Sequence, residues 1–140
     1  YFAIVLTKIK QGQNQIEEIN RIHSFLVRLT NHVELIAPEY LFALSNTLFS
    51  GLACLDNLST YDSLETYIFS LNHIMEKTQD FQKKPIILML EWKLSLIINN
   101  DYVSAEQFYQ KSKLFADIIE NSYLVTMLEK QWQEDLKKYL

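Results

Sequence analysis

Apolar side chains recur at three- and four-residue spacing along most of the chain, the period of a helix that buries one face. Ile16, Ile19, Ile22, Leu26, Leu29, Val33 and Ile36 follow that period and predict a helix over about 14–36, with Glu17, Glu18, Arg21 and Arg28 on its outer side. Upstream, residues 1–10 read as the end of a helix that stops near Gly12, a plausible C-cap glycine. Pro38 breaks the long run and suits the first turn of the next helix, over about 39–55. Its stretch from Tyr40 to Phe49 is apolar on more than one side, as in a helix held between layers. After a loop at 56–60, Thr60 or Asp62 is expected to cap a helix running to about Lys77, with Leu64, Tyr67, Ile68, Leu71, Ile74 and Met75 on one face. A polar link over 78–84 ends at Pro85, with further helices at about 86–98, 102–119 and 122–139. The last carries Leu124, Leu128, Trp132, Leu136 and Tyr139 in a stripe, with Asp135, Lys137 and Lys138 expected to face outward.

The most specific pattern runs from Asn100 to Ala116. Asn100-Asp101-Tyr102 supplies a turn, and Asp101 is a natural acceptor for the next free amides. Ala105 lets a partner helix approach closely, and Tyr109 supplies the bulky side chain four positions on. Small and apolar residues then share one face through residue 119, opposite Glu106, Gln107, Gln110, Lys111, Lys113 and Asp117. This is the second half of a tetratricopeptide-like hairpin, a repeat of about 34 residues. The pair 86–98 with 102–119 closes one such unit, and 39–55 with 62–77 makes a longer one. Tyr61-Asp62-Ser63-Leu64 with Ile68 has its counterpart in Tyr102-Val103-Ser104-Ala105 with Tyr109. Helix pairs of this kind cannot bury their faces alone and must stack. The expected fold is therefore all-α: antiparallel helix hairpins in a right-handed, tetratricopeptide-like array over 1–140, capped by the final helix.

Composition narrows the function. With 140 residues, 49% of them hydrophobic, the chain can bury a core, and two glycines and two prolines leave little turn chemistry for a β fold. The formal net charge is −4 and lysines and arginines form no cluster, so these residues lack the basic stripe that grips phosphates. Cys54 excludes an internal disulfide, suits a reducing cytoplasm and reads as a small buried hydrophobe. The most apolar run, Ile86 to Ile98, contains Glu91 and Lys93 and is too short to span a bilayer. His23, His32 and His73 have no second ligand at metal spacing, Gly12 and Gly51 stand alone, and no serine sits in a nucleophile elbow. The carboxylate pairs Glu17-Glu18 and Glu134-Asp135 fall on expected solvent faces. Neither an enzyme, a metal site nor a cofactor is expected.

A binding module is the alternative to chemistry. Helix 86–98 carries two apolar stripes: Ile87, Leu90, Leu94 and Ile97, and Met89, Trp92 and Leu96. Hairpin packing needs only one of them. Aligning Ala105 and Tyr109 to their repeat positions turns Ile87, Leu90, Leu94 and Ile97 toward the concave groove, as an oily floor for an extended peptide. The competing expectation is that neighbouring helices or a dimer partner cover this stripe. Asn46, on the inner helix of the preceding layer, offers both a donor and an acceptor to a peptide backbone, unless it is a satisfied buried amide. The candidate peptide-binding residues are Asn46, Phe49, Ile87, Leu90, Leu94 and Ile97, and Trp132 is expected to anchor the capping helix.

Three stretches carry a family resemblance: Glu39-Tyr40-Leu41-Phe42-Ala43-Leu44-Ser45-Asn46-Thr47-Leu48-Phe49, the run from Asn100 through Ala116, and Leu128-Glu129-Lys130-Gln131-Trp132-Gln133-Glu134-Asp135-Leu136. Together they resemble the C-terminal regulatory domain of the Rgg/MutR-type transcription regulators of Gram-positive bacteria. Where that family commonly has a tryptophan before the acidic-aromatic run, this chain has Ile36. The resemblance implies a cytoplasmic homodimer that receives a short hydrophobic signalling peptide on its concave surface. It also implies that DNA is bound only through a separate N-terminal helix-turn-helix domain, and the opening at Tyr1 in mid-pattern is read as a fragment lacking that part. Peptide binding would then be coupled to transcription as a free energy between two sites. Two other readings fit a helical repeat: a scaffold that docks a partner protein, and the peptide-sensing domain of a phosphatase-type regulator.

Overall fold

In the computed structural model, residues 15–53 and 58–140 are described. The expected helix end over 1–10, the stop at Gly12 and the setting of Cys54 lie outside the described residues, as do the side chains of Ile16, Ile19, Ile22 and Leu26. Six α-helices make up the described chain: α1 (Gln15–His32), α2 (Pro38–Ala53), α3 (Leu58–Thr78), α4 (Lys84–Lys93), α5 (Tyr102–Ile118) and α6 (Ser122–Tyr139). Short 3₁₀ turns, Val33–Leu35 and Phe81–Lys83, close α1 and lead into α4. A π turn, Leu94–Ile98, extends α4. The all-helical, stacked architecture expected from periodicity is the one found.

Local chemistry sets the helix ends. Pro38 opens α2, where its missing N–H costs nothing. The Asp101 carboxylate accepts from the Ser104 amide at 3.1 Å and the Ser104 hydroxyl at 2.7 Å, capping α5. Asn121 caps α6 in the same way, accepting from the Leu124 amide at 3.0 Å. In a chain with so few glycines, Gln79, Asn100 and Glu120 take the left-handed conformation after α3, the π turn and α5, with φ of 59°, 51° and 58°. One expected cap is absent: α3 begins at Leu58, so Thr60 and Asp62 lie inside its first turns.

Helix α4 is the centre of the stack. It packs most extensively on α5 and also contacts α2 and α3, while α5 carries α6 and α3 carries α1. Covered on all sides, α4 buries Ile86, Ile87, Leu88, Met89, Leu90 and Trp92 together. Ala105, Ser112 and Ala116 form a small-residue seam on α5 that is fully buried, and the Ser112 hydroxyl donates to the Pro85 carbonyl at 3.0 Å. Beside that seam, Tyr109 stacks on Trp132 with ring centres 4.7 Å apart. Trp92 meets both rings edge-on, at 5.5 Å and 5.6 Å. Such offset and edge-to-face contacts suit the quadrupoles of the rings. Trp132 is thus the core anchor of the capping helix, as its stripe position suggested.

Candidate ligand-binding site

The groove nearest the expected site opens where α3, α4 and α5 meet. Glu65, Ile68, Phe69 and Asn72 share one face of α3, and Glu91, Leu94, Ser95 and Asn99 come from α4 and the turn after it. Phe108 of α5 closes the end, around a volume of about 390 Å³. Ile68 is buried, Leu94 and Phe108 are half-buried, and Phe69 stands 72% exposed. The result is an apolar floor with a polar rim, the usual make-up of a ligand site. On the rim, Asn72 accepts from the Lys84 ammonium at 3.3 Å and donates to the Ile68 carbonyl at 3.3 Å. Half-buried Glu91 has its carboxyl pushed above the usual range by burial, against the opposing pull of Lys84 and Lys111.

The helix that carries most of the expected residues ends in the π turn beside this groove. The Asn99 amide donates back to the Leu94 carbonyl at 3.2 Å, and the Asp101 amide to the Ser95 carbonyl at 2.9 Å. The widened turn rotates its own residues relative to the first part of the helix. The stripe read as one groove floor is divided. Ile87 and Leu90 are buried in the core at 0% and 1% exposure, covered by neighbouring helices. Leu94 lines the groove, and Ile97 is half-buried against the core. Phe49 is also fully buried.

Asn46 belongs to a different assembly, a polar network inside the stack. Its amide donates to Gln131 Oε1 at 2.7 Å, joining α2 to α6. Gln131 donates to Asp135 Oδ1 at 3.0 Å. Asp135 Oδ2 accepts from the Trp92 indole at 2.9 Å and from the Lys93 ammonium at 2.7 Å. Asp135 and Lys93 are both buried, which corrects the expectation that Asp135 faces outward. Burial lowers the Lys93 pKa, and the facing Asp135 carboxylate offsets part of that fall. The same ammonium lies 5.9 Å from the centre of the Phe49 ring, a cation–π contact in a dry setting. Asn46 Oδ1 is buried without a hydrogen-bond partner among the described residues.

Sequence reasoning missed Lys93, Gln131 and Asp135 as a unit, along with the α3 wall of the groove. Lys93 carried a signal, since a charge within a helix apolar all round demands a partner. Among the described residues no group of three His, Cys, Asp or Glu side chains could hold a metal. No helix there is long and apolar enough to cross a membrane.

Stacked antiparallel hairpins, a small-residue seam on the second helix of a pair and a capping helix define a tetratricopeptide-like helical-repeat domain. The chain belongs to the ComR tetratricopeptide family, whose model matches residues 1–132. Its fold is similar to that of the crystal structure of ComR from Streptococcus suis, at 30% identity and a TM-score of 0.58. That match covers 94% of this chain and 42% of the other, so the chain spans less than half of that protein's length. No curated protein matches the chain in sequence.

Proposed function

We propose that this chain is the sensing domain of an Rgg/MutR-like transcription regulator. It binds a short hydrophobic signalling peptide and homodimerises in the cytoplasm to control DNA binding by a separate N-terminal domain. The carrying observation is the groove between α3, α4 and α5, with its floor of Ile68, Leu94 and Phe108, in a chain of the ComR tetratricopeptide family. In this reading Leu94 touches the peptide, Ile87, Leu90 and Ile97 support the floor from the core, and Asn46 and Phe49 belong to the network that ties the layers together. The role is regulatory rather than catalytic. The net charge of −4 agrees, since phosphate contact then belongs to another segment.

The test is thermal unfolding of the domain against a library of short apolar peptides. A ligand at 100 times its Kd stabilises by about 2.7 kcal/mol, a readily measured shift in Tm. The expected result is a shift that Leu94→Asp abolishes without loss of helix content. A folded domain that no peptide stabilises would leave a protein-docking scaffold as the better reading.

A further inference from the structure

We infer that the outer face of α5 is the surface on which two copies of the chain pair, antiparallel about a two-fold axis at Leu114. This inference rests on the homodimer reading above and names the surface that reading requires. Val103, Leu114 and Ile118 stand 65%, 58% and 64% exposed. They share one side of α5, opposite the buried Ala105, Tyr109, Ser112 and Ala116. Beside Leu114 a groove of about 350 Å³ opens against α6, lined also by Val125, Gln110, Lys113, Asp117 and Glu129. Exposed leucine and isoleucine one turn apart, with such a groove at their side, form a patch rather than isolated surface residues.

Charge makes this patch fit a copy of itself. Lys111 and Asp117, of opposite sign, stand at equal spacing before and after Leu114. Both are exposed, and among the described residues neither makes an ion pair. A two-fold contact is self-complementary: what residue i does to j, j does to i. With α5 antiparallel to its copy about Leu114, Lys111 comes level with Asp117 of the partner subunit, once on each side of the leucine contact. Ile118 then comes level with Gln110 of the partner subunit. A parallel pairing would instead set lysine against lysine and aspartate against aspartate, and such like-charge contacts exclude wrong orientations. The pairing uses one face of a 17-residue helix, small beside the roughly 1,600 Å² of a standard interface, so the dimer is expected to be weak and reversible.

The experiment is sedimentation velocity on the chain over a range of concentrations, with circular dichroism to check that each variant keeps its helices. The chain is expected to pass reversibly from monomer to dimer as concentration rises. Leu114→Asp, Lys111→Asp and Asp117→Lys, all at exposed positions, are each expected to weaken association at least ten-fold. An equimolar mixture of the Lys111→Asp and Asp117→Lys chains is expected to pair as well as the original, because the reversed charges complement one another across the interface. Should Leu114→Asp disturb the fold, the two charge variants and their mixture carry the test alone. If any folded variant associates within ten-fold of the original chain, or the mixture pairs no better than either variant by itself, the α5 surface is wrong while the homodimer reading stands. If the original chain stays monomeric at every concentration, the surface and the homodimer reading fall together, with peptide sensing untouched.

Discussion

The buried Asp135 carboxylate is the most consequential single group in the stack, and replacing it should show that. It holds three donors at once: the Lys93 ammonium at 2.7 Å, the Trp92 indole at 2.9 Å and the Gln131 amide at 3.0 Å. Asp135→Ala leaves the Lys93 ammonium, 2% exposed, without a counter-charge. Removing one partner of a buried ion pair costs about 3–5 kcal/mol. Each stranded neutral donor adds about 1–3 kcal/mol when fully dry, though such terms do not sum simply. A loss of about 4 kcal/mol is a conservative expectation. Against a typical domain stability of about 5–15 kcal/mol, that would bring the fold near its threshold. The assay is urea unfolding followed by far-UV circular dichroism, because Trp92 fluorescence would respond to the substitution itself. A second variant separates charge from packing. Lys93→Met alone leaves the carboxylate its two neutral donors but no counter-charge and should also cost about 3 kcal/mol, whereas Lys93→Met with Asp135→Leu removes both charges and should cost far less than the sum. A double-mutant coupling of about 2 kcal/mol or more is expected. Two costs below about 1 kcal/mol that simply add would refute the view that this pair joins α4 to α6.

Two further predictions test other parts of the stack. Ala105→Leu should destabilise by about 1–3 kcal/mol in urea unfolding, because Ala105 is fully buried at the close approach of α4 and α5 and a larger side chain overpacks it; an unchanged midpoint would mean the seam can open. Burial pushes the Tyr67 hydroxyl from its ordinary value of 10 up to about 12, only partly opposed by its hydrogen bond with Ser45. The unfolded chain therefore releases that proton first, and stability should fall between about pH 10 and pH 12 by up to about 1.4 kcal/mol per pH unit. Tyr67→Phe should flatten that slope; an identical slope in both proteins would show that the hydroxyl is not buried as described.

The features legible in the sequence are those that depend on neighbours along the chain. Helix periodicity, the Asp101 cap and the pairing of Ala105 with Tyr109 are settled within a turn or two, and all three hold. The start of α3 differs from expectation because Thr60 and Asp62 are good caps that the helix simply runs through. The Ile87, Leu90, Leu94, Ile97 stripe divides for a longer-range reason. Neighbouring helices close over its first part, at Ile87 and Leu90, and leave Leu94 at the groove, a difference set by the packing of other elements rather than by the spacing. The groove wall on α3 is equally hidden, since Phe69 and Glu65 lie off that helix's buried face and gain meaning only when α4 and α5 arrive beside them. Asp135 shows how far the information is nonetheless present. A lysine in a helix covered on every side cannot remain there alone, so Lys93 requires a carboxylate from some other element. α6 packs its stripe next to Trp92, and Asp135 borders that stripe between Trp132 and Leu136. A carboxylate flanking an apolar stripe is therefore the place to look for the missing charge, and a face drawn from one helix alone will always assign it to water.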